Sequence, residues 1–167
     1  MSKLLALWER VVGILNPVGD WIALLPIRLL LAYEFGTAGL MKYNGNNWFA
    51  NVQDNFLFPF SVIPVEISWF MSTWAELLGA FGLVIGLFTR FWAISLIILS
   101  VVAIFAVHMP AEWPGLADLW DSYRVTRKEG SGNFRIPLLF IAMLIPLVFT
   151  GAGKLSVDNL LSKYFSK

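Results

Sequence analysis

Three charged side chains, Arg28, Glu34 and Lys42, stand among leucines and aromatics in the stretch WIALLPIRLLLAYEFGTAGLMKY, Trp21 to Tyr43. A fourth, Glu76, stands in the equally apolar run WAELLGAFGLVIGLF. A charge at the centre of a bilayer costs at least ~2.5 kcal/mol on insertion scales, so such groups must face protein or water and find partners. Counting 1.5 Å per residue from the ends of the apolar runs puts Glu34 about 20 Å from one end and Glu76 about 14 Å from the opposite one, both near mid-depth. Arg28 lies about 9 Å from Glu34 along the helix and about 120° around it, so the expected contact is across a bundle, Arg28 to Glu76 or Arg28 to Glu34. Two carboxylates with one arginine leave an acid over, and two like charges in a dry site favour keeping one proton between them. Arg28, Glu34 and Glu76 are therefore the candidate catalytic residues, a proton-holding core. The plainer reading of the same residues is a buried ion pair that fixes helix register.

Lys42 and His108 close two apolar runs at the same end and form the candidate cofactor-binding pair at the outer mouth of that core. Lys42 there is expected to snorkel to the interface. His108 is the sole histidine, flanked by Met109 and opposite Met41. Imidazole with thioether sulfur suits a soft or borderline metal, copper above all, so His108, Met109 and Met41 are the candidate metal ligands, with Met71 or Glu112 as further donors. The run TGAGK, Thr150 to Lys154, lacks the four-residue gap and following Ser or Thr of a phosphate-binding loop. It reads as a glycine helix cap with a lysine at the negative end of the dipole. Gly36 and Gly39, with Gly79, Gly82 and Gly86, offer small surfaces through which the first two apolar helices are expected to pack.

The elements that hold these residues must be membrane helices. Of 167 residues, 58% are hydrophobic and 14% charged, against roughly a quarter charged in a soluble domain. Four stretches reach the approximate length of a bilayer crossing: 21–42, 67–88, 91–109 and 134–151. Continuous apolar runs exclude the ten-residue alternation of a membrane β-barrel. The expected fold is all-α, a four-transmembrane-helix bundle forming one domain over 1–167. There is no basic cluster with interleaved aromatics, which sets nucleic acid aside. There is no cysteine, which excludes disulfides and thiolate chemistry, so any redox chemistry needs a cofactor, a metal or a partner.

Leu4, Leu5, Leu7, Trp8, Val11, Val12, Ile14 and Leu15 recur at helical spacing, predicting a short interfacial helix that stops near Asn16-Pro17 and is not a cleavable leader. Val157, Leu160, Leu161, Tyr164 and Phe165 predict a second one at the other terminus, on the same side. Trp48, Phe49, Phe56, Phe58 and Phe60, with Pro59 and Pro64, suit a cap in the headgroup region between the first two spans. The link Thr89-Arg90 makes the second and third spans antiparallel neighbours, and 110–133 is the long non-cytoplasmic loop. Lys3, Arg10, Arg90, Lys154, Lys163 and Lys167 on the terminal side face Lys42, Arg124, Arg127, Lys128 and Arg135 on the other. That narrow excess, with Arg90 in a short link, places both termini in the cytoplasm.

Arg28, FGTAGLMK from Phe35 to Lys42, Glu76 with Gly79 as ExxG, Gly86-Leu87, Arg90 with Ala93, His108, and the ending GAGKLSVDNLL together resemble the DoxX family of small four-helix bacterial membrane proteins. The resemblance spans about residues 21–162. It implies residence in the bacterial cytoplasmic (inner) membrane. It further implies a membrane subunit of redox, sulfur or oxidative-stress physiology that meets quinone near the buried carboxylates. A second reading, of another class, is a non-enzymatic membrane anchor or copper- or metal-handling accessory that docks a soluble or peptide partner through 110–133, a stretch longer than in the shortest members of the family. The expected partners are the lipid bilayer, a soluble or membrane redox protein, and further copies of the chain as a homo-oligomer.

Overall fold

The computed structural model describes residues 3–109, 123 and 133–166, and among these every regular element is helical. The helices are α1 (Lys3–Ile22), α2 (Leu25–Asn44), α3 (Val65–Ile85), α4 (Thr89–Ala103), α5 (Arg135–Thr150) and α6 (Val157–Phe165). A π-helical turn, Ile104–His108, extends α4. Apart from Tyr123 and Asn133, the expected 110–133 loop, with Glu112, lies outside the described residues.

Helices α2 to α5 alternate in direction. The segment from Lys3 to Asn44, the helix α3 and the helix from Thr89 to His108 are long and apolar enough to cross a membrane, and α5 is a shorter apolar helix. At 16 residues, α5 rises about 24 Å. This arrangement is consistent with four crossings. The core is built from Leu31, Phe35, Leu83, Leu96, Leu144 and Leu147, drawn from all four helices. Outside it, α2 to α5 expose large apolar side chains such as Leu30, Phe81, Ile94 and Phe149, as a lipid-facing surface requires.

Two boundaries differ from the sequence expectation. Helix α1 does not stop at Asn16-Pro17 but continues through Pro17 to Ile22. Proline in a helix interior removes one hydrogen bond and crowds the carbonyl four residues earlier. Here that residue is Gly13, which carries no side chain of its own, and a Cβ placed on it would meet no atom of another element. The break falls instead at Ala23-Leu24, where Pro26 occupies the first turn of α2, a position in which its missing N–H costs nothing. No residue of α1 is buried, and its apolar face of Leu4, Trp8, Val11 and Leu15 is unpacked. The expected shared end is present: Lys154 pairs with Asp20 at the end of α1, at 2.6 Å, just before α6.

The glycine expectation also needs a correction. Gly36 and Gly39 do face α3, where a Cβ on Gly39 would come within 3.1 Å of the Glu76 Cβ. Gly79 and Gly82 face Leu96 and Trp92 of α4 instead. One side of α3 thus receives α2 and the next receives α4. The expected aromatic cap is present at the far end, where Phe49 and Phe56 pack on Ala106 with Val65, Trp69 and Val102. Phe58 remains outside the cluster, 82% exposed.

Candidate functional site

The close approach at Gly39 sets the geometry of the buried charges. It brings α2 against α3 at the level of Glu76, and Lys42, three residues further along α2, turns inward rather than outward. Its Nζ donates to Glu76 Oε1 at 2.5 Å and to Ser72 Oγ at 2.8 Å. The lysine side chain is 14% exposed and the carboxylate 4%. The third N–H has the Phe49 ring nearby, 5.8 Å from its centroid. The expected snorkelling of Lys42 is therefore overturned. An ammonium within reach of a buried carboxylate gains more from pairing than from hydration at the interface, because an unpaired charge in the interior is costly.

The expected Arg28 pairing is overturned as well. Arg28 is 1% exposed and, among the described residues, bonds no carboxylate. Its Nε donates to Leu83 O and its Nη2 to Val84 O, while Nη1 donates to Ala152 O and Leu155 O, all at 2.8–2.9 Å. These carbonyls belong to the last turn of α3 and the chain after α5, where helix ends leave acceptors without partners. A guanidinium fork of five donors suits such a cluster, and its charge suits the negative end of a helix dipole. Fourteen residues of α2 separate Arg28 from Lys42, about 21 Å of rise, which places Glu76 out of its reach.

A cavity of about 580 Å³ opens in the far half of the bundle. Its polar lining includes Glu34, Lys42, Ser68, Ser72, Glu76 and His108, and its aromatic lining includes Phe35, Trp48, Phe49, Phe56, Phe60 and Phe140. Among the described residues, two buried polar atoms on this lining have no hydrogen-bond partner: Glu76 Oε2 and Ser68 Oγ. Such atoms are costly in a protein interior, and a site that binds a ligand is one of the few settings that explains them.

A family model described as DoxX matches residues 23–109. The chain belongs to the DoxX family. A DoxX match over 23–109 takes in Arg28, Glu34, Lys42, Glu76 and His108 together. The chain is also similar to an uncharacterized protein of Haemophilus influenzae (strain Rd), 40% identical over 148 residues that cover 89% of each chain. No solved structure matches.

The cavity of this DoxX protein gathers Glu34, Glu76, Lys42 and His108, and leaves out Arg28, Met41 and Met109. Glu34 is half-buried and has no ion pair or side-chain hydrogen bond among the described residues. Of the candidate metal ligands, Met41 is 71% exposed on α2. His108 pairs through Nδ1 with Asn133 Oδ1, and its carbonyl accepts from the Asn133 N–H at 3.1 Å. Met71 lines the cavity.

Sequence reasoning passed over Ser68 and Ser72. With Glu76 they stand at four-residue intervals, one polar stripe along a single face of α3. A four-residue polar period inside an apolar span was the available signal, since i and i+4 share a helix face.

Proposed function

We propose that this DoxX protein is an inner-membrane subunit of bacterial redox, sulfur or oxidative-stress physiology, with both termini in the cytoplasm, and that its cavity binds the ring of a membrane quinone. The observation that carries the reading is the pairing of an aromatic-lined cavity of about 580 Å³ with a buried Lys42–Glu76 pair whose second carboxylate oxygen is unbonded. That volume lies within the range of small-molecule sites, which combine apolar walls with a few placed polar groups. Phe49, Phe56, Phe35 and Phe140 offer faces and edges to a flat ring. Lys42 has a hydrogen-bond donor to spare, and Glu76, Ser68 and Ser72 line the opposite polar stripe. A bound quinone would supply electron transfer, with a partner redox protein as the other half of the couple. The residues here would orient its ring and exchange hydrogen bonds with its oxygens.

The test is titration of the purified protein in phosphatidylcholine nanodiscs with a short-tailed 1,4-benzoquinone, read by quenching of tryptophan fluorescence, since Trp48 lines the cavity. Saturable binding weakened about tenfold or more by Phe49→Ala or Lys42→Met is expected. Absence of saturable binding, or indifference to both substitutions, refutes the reading.

One observation favours a second reading, a partner-docking accessory with a copper-handling role. The two feet of the 110–132 segment meet at His108 through Asn133, beside the cavity that His108 lines. Deleting 113–132 would abolish partner capture while leaving quinone titration intact if this reading is the correct one. Copper titration of His108→Ala against the unaltered chain tests the metal role.

A further inference from the structure

The hydrogen-bonding groups on the α3 stripe are not neutral toward the oxidation state of a ring ligand. Glu76 is paired with Lys42, at 2.5 Å through Oε1, and a carboxylate paired with an ammonium only accepts hydrogen bonds. Its Oε2 is buried and unbonded. The side chain itself lines the cavity. What the site lacks is therefore a donor. Ser68 Oγ, about 12 Å along the same stripe, is also buried and unbonded, and a hydroxyl is completed by an acceptor or a donor alike. Lys42 supplies the complementary feature, an N–H with no hydrogen-bond partner.

We infer that the cavity selects the reduced, hydroxyl-bearing form of its ring ligand, a hydroquinone, over the oxidised quinone. This rests on the quinone reading of the cavity and narrows it. A ring hydroxyl donates to Glu76 Oε2 and accepts from Lys42 through the same oxygen, completing both groups at once. A quinone carbonyl accepts from Lys42 but offers nothing to Glu76, so binding it leaves the buried oxygen as it stands. A site built to bond a hydroxyl discriminates strongly against the analogue that lacks one, because its own polar group is then left unpaired. The selection has a redox consequence. A ligand bound more tightly when reduced has its couple shifted to higher potential, about 30 mV for each factor of ten in a two-electron couple. The bound ring therefore holds electrons more readily than the same ring free in the membrane.

The experiment compares calorimetric dissociation constants of a short-tailed 1,4-benzoquinone and its hydroquinone, the latter kept under argon, for the protein in phosphatidylcholine nanodiscs. The hydroquinone is expected to bind at least tenfold more tightly, with a corresponding rise of about 30 mV or more in the midpoint potential of the bound couple. Glu76→Gln, whose amide both donates and accepts, is expected to bring the two constants to within about threefold, and Ser68→Ala to leave the preference at tenfold or above. Equal binding of the two forms by the unaltered protein, or tighter binding of the quinone, overturns the inference while leaving the quinone site standing. Failure of both forms to bind overturns the quinone reading, and the inference with it.

Discussion

Replacing Arg28 by leucine removes four hydrogen bonds at once. The bonds, to Leu83, Val84, Ala152 and Leu155, are all 2.8–2.9 Å long, and the arginine is 1% exposed. Charge-assisted bonds contribute about 1.5 kcal/mol or more each, about 6 kcal/mol together. A buried leucine recovers about 2 kcal/mol through its apolar surface. The net loss is about 4 kcal/mol, concentrated where the turn after α3 meets the chain after α5. For a chain of this size each kcal/mol moves the midpoint about 2–4 °C, so the melting temperature falls by about 8–16 °C. The assay is thermal unfolding in detergent followed by circular dichroism. A second readout comes from the absence of cysteine: a single cysteine placed at Ala152 is unreactive to a maleimide in the parent background and becomes reactive with the Arg28→Leu change. Arg28→Lys, with three donors and no planar fork, is expected to fall between the parent and leucine variants. A loss below about 1 kcal/mol for Arg28→Leu, with Ala152 still protected, refutes the assignment of Arg28 as the clamp between α3 and α5.

Gly86→Ala attacks the same clamp from the other side: Gly86 has φ +69°, and an added Cβ would lie 2.6 Å from Arg28 Nη2, so a loss of about 2 kcal/mol or more in thermal unfolding is expected. Asp158→Ala removes the carboxylate that accepts from the Phe88 and Thr89 N–H groups at 2.7 and 2.9 Å, and a loss of about 1–2 kcal/mol is expected by the same assay. Lys42→Met strands the Glu76 carboxylate and should cost about 3–5 kcal/mol, whereas Lys42→Met with Glu76→Leu should recover most of that loss in a double-mutant cycle. Lys154→Ala, which breaks only the half-exposed pair with Asp20, should change unfolding by less than about 1 kcal/mol.

The apolar helices were legible because bilayer physics writes them in length and composition. Ile67 to Phe88 became Val65–Ile85, and Phe91 to Met109 became Thr89–His108, within a few residues at each end. The aromatic cap was legible for the same reason: a stretch with Trp48, Phe49 and Phe56 beside turn residues has few places to go but the bundle end. What sequence left open was partner choice among the buried charges. Depth counted along a single helix depends on where that helix meets its neighbour, and that is fixed by a side chain without bulk, Gly39. Once Gly39 sets Glu76 beside the last turns of α2, the nearest cation is Lys42, and Arg28 is left among carbonyls that no carboxylate was needed to satisfy.

The division of labour between the two cations then follows from their chemistry rather than their position alone. A guanidinium spreads its charge over a planar fork and is weakly hydrated, so it can be buried against four neutral acceptors at the end of α3 and after α5. An ammonium is a compact, strongly hydrated point charge, and burial of Lys42 to 14% exposure needs an anion. Exchanging the two residue types would fail at both places: lysine at 28 would lack donors for the four carbonyls, and arginine at 42 would take both Glu76 oxygens in bidentate pairing. The second failure is the more informative. Lys42→Arg would leave the bundle folded and close the carboxylate to any ligand, so hydroquinone binding should fall about tenfold or more while the melting temperature holds. Loss of neither, or loss of both together, would mean that the free Glu76 oxygen is a feature of packing and has no part in binding.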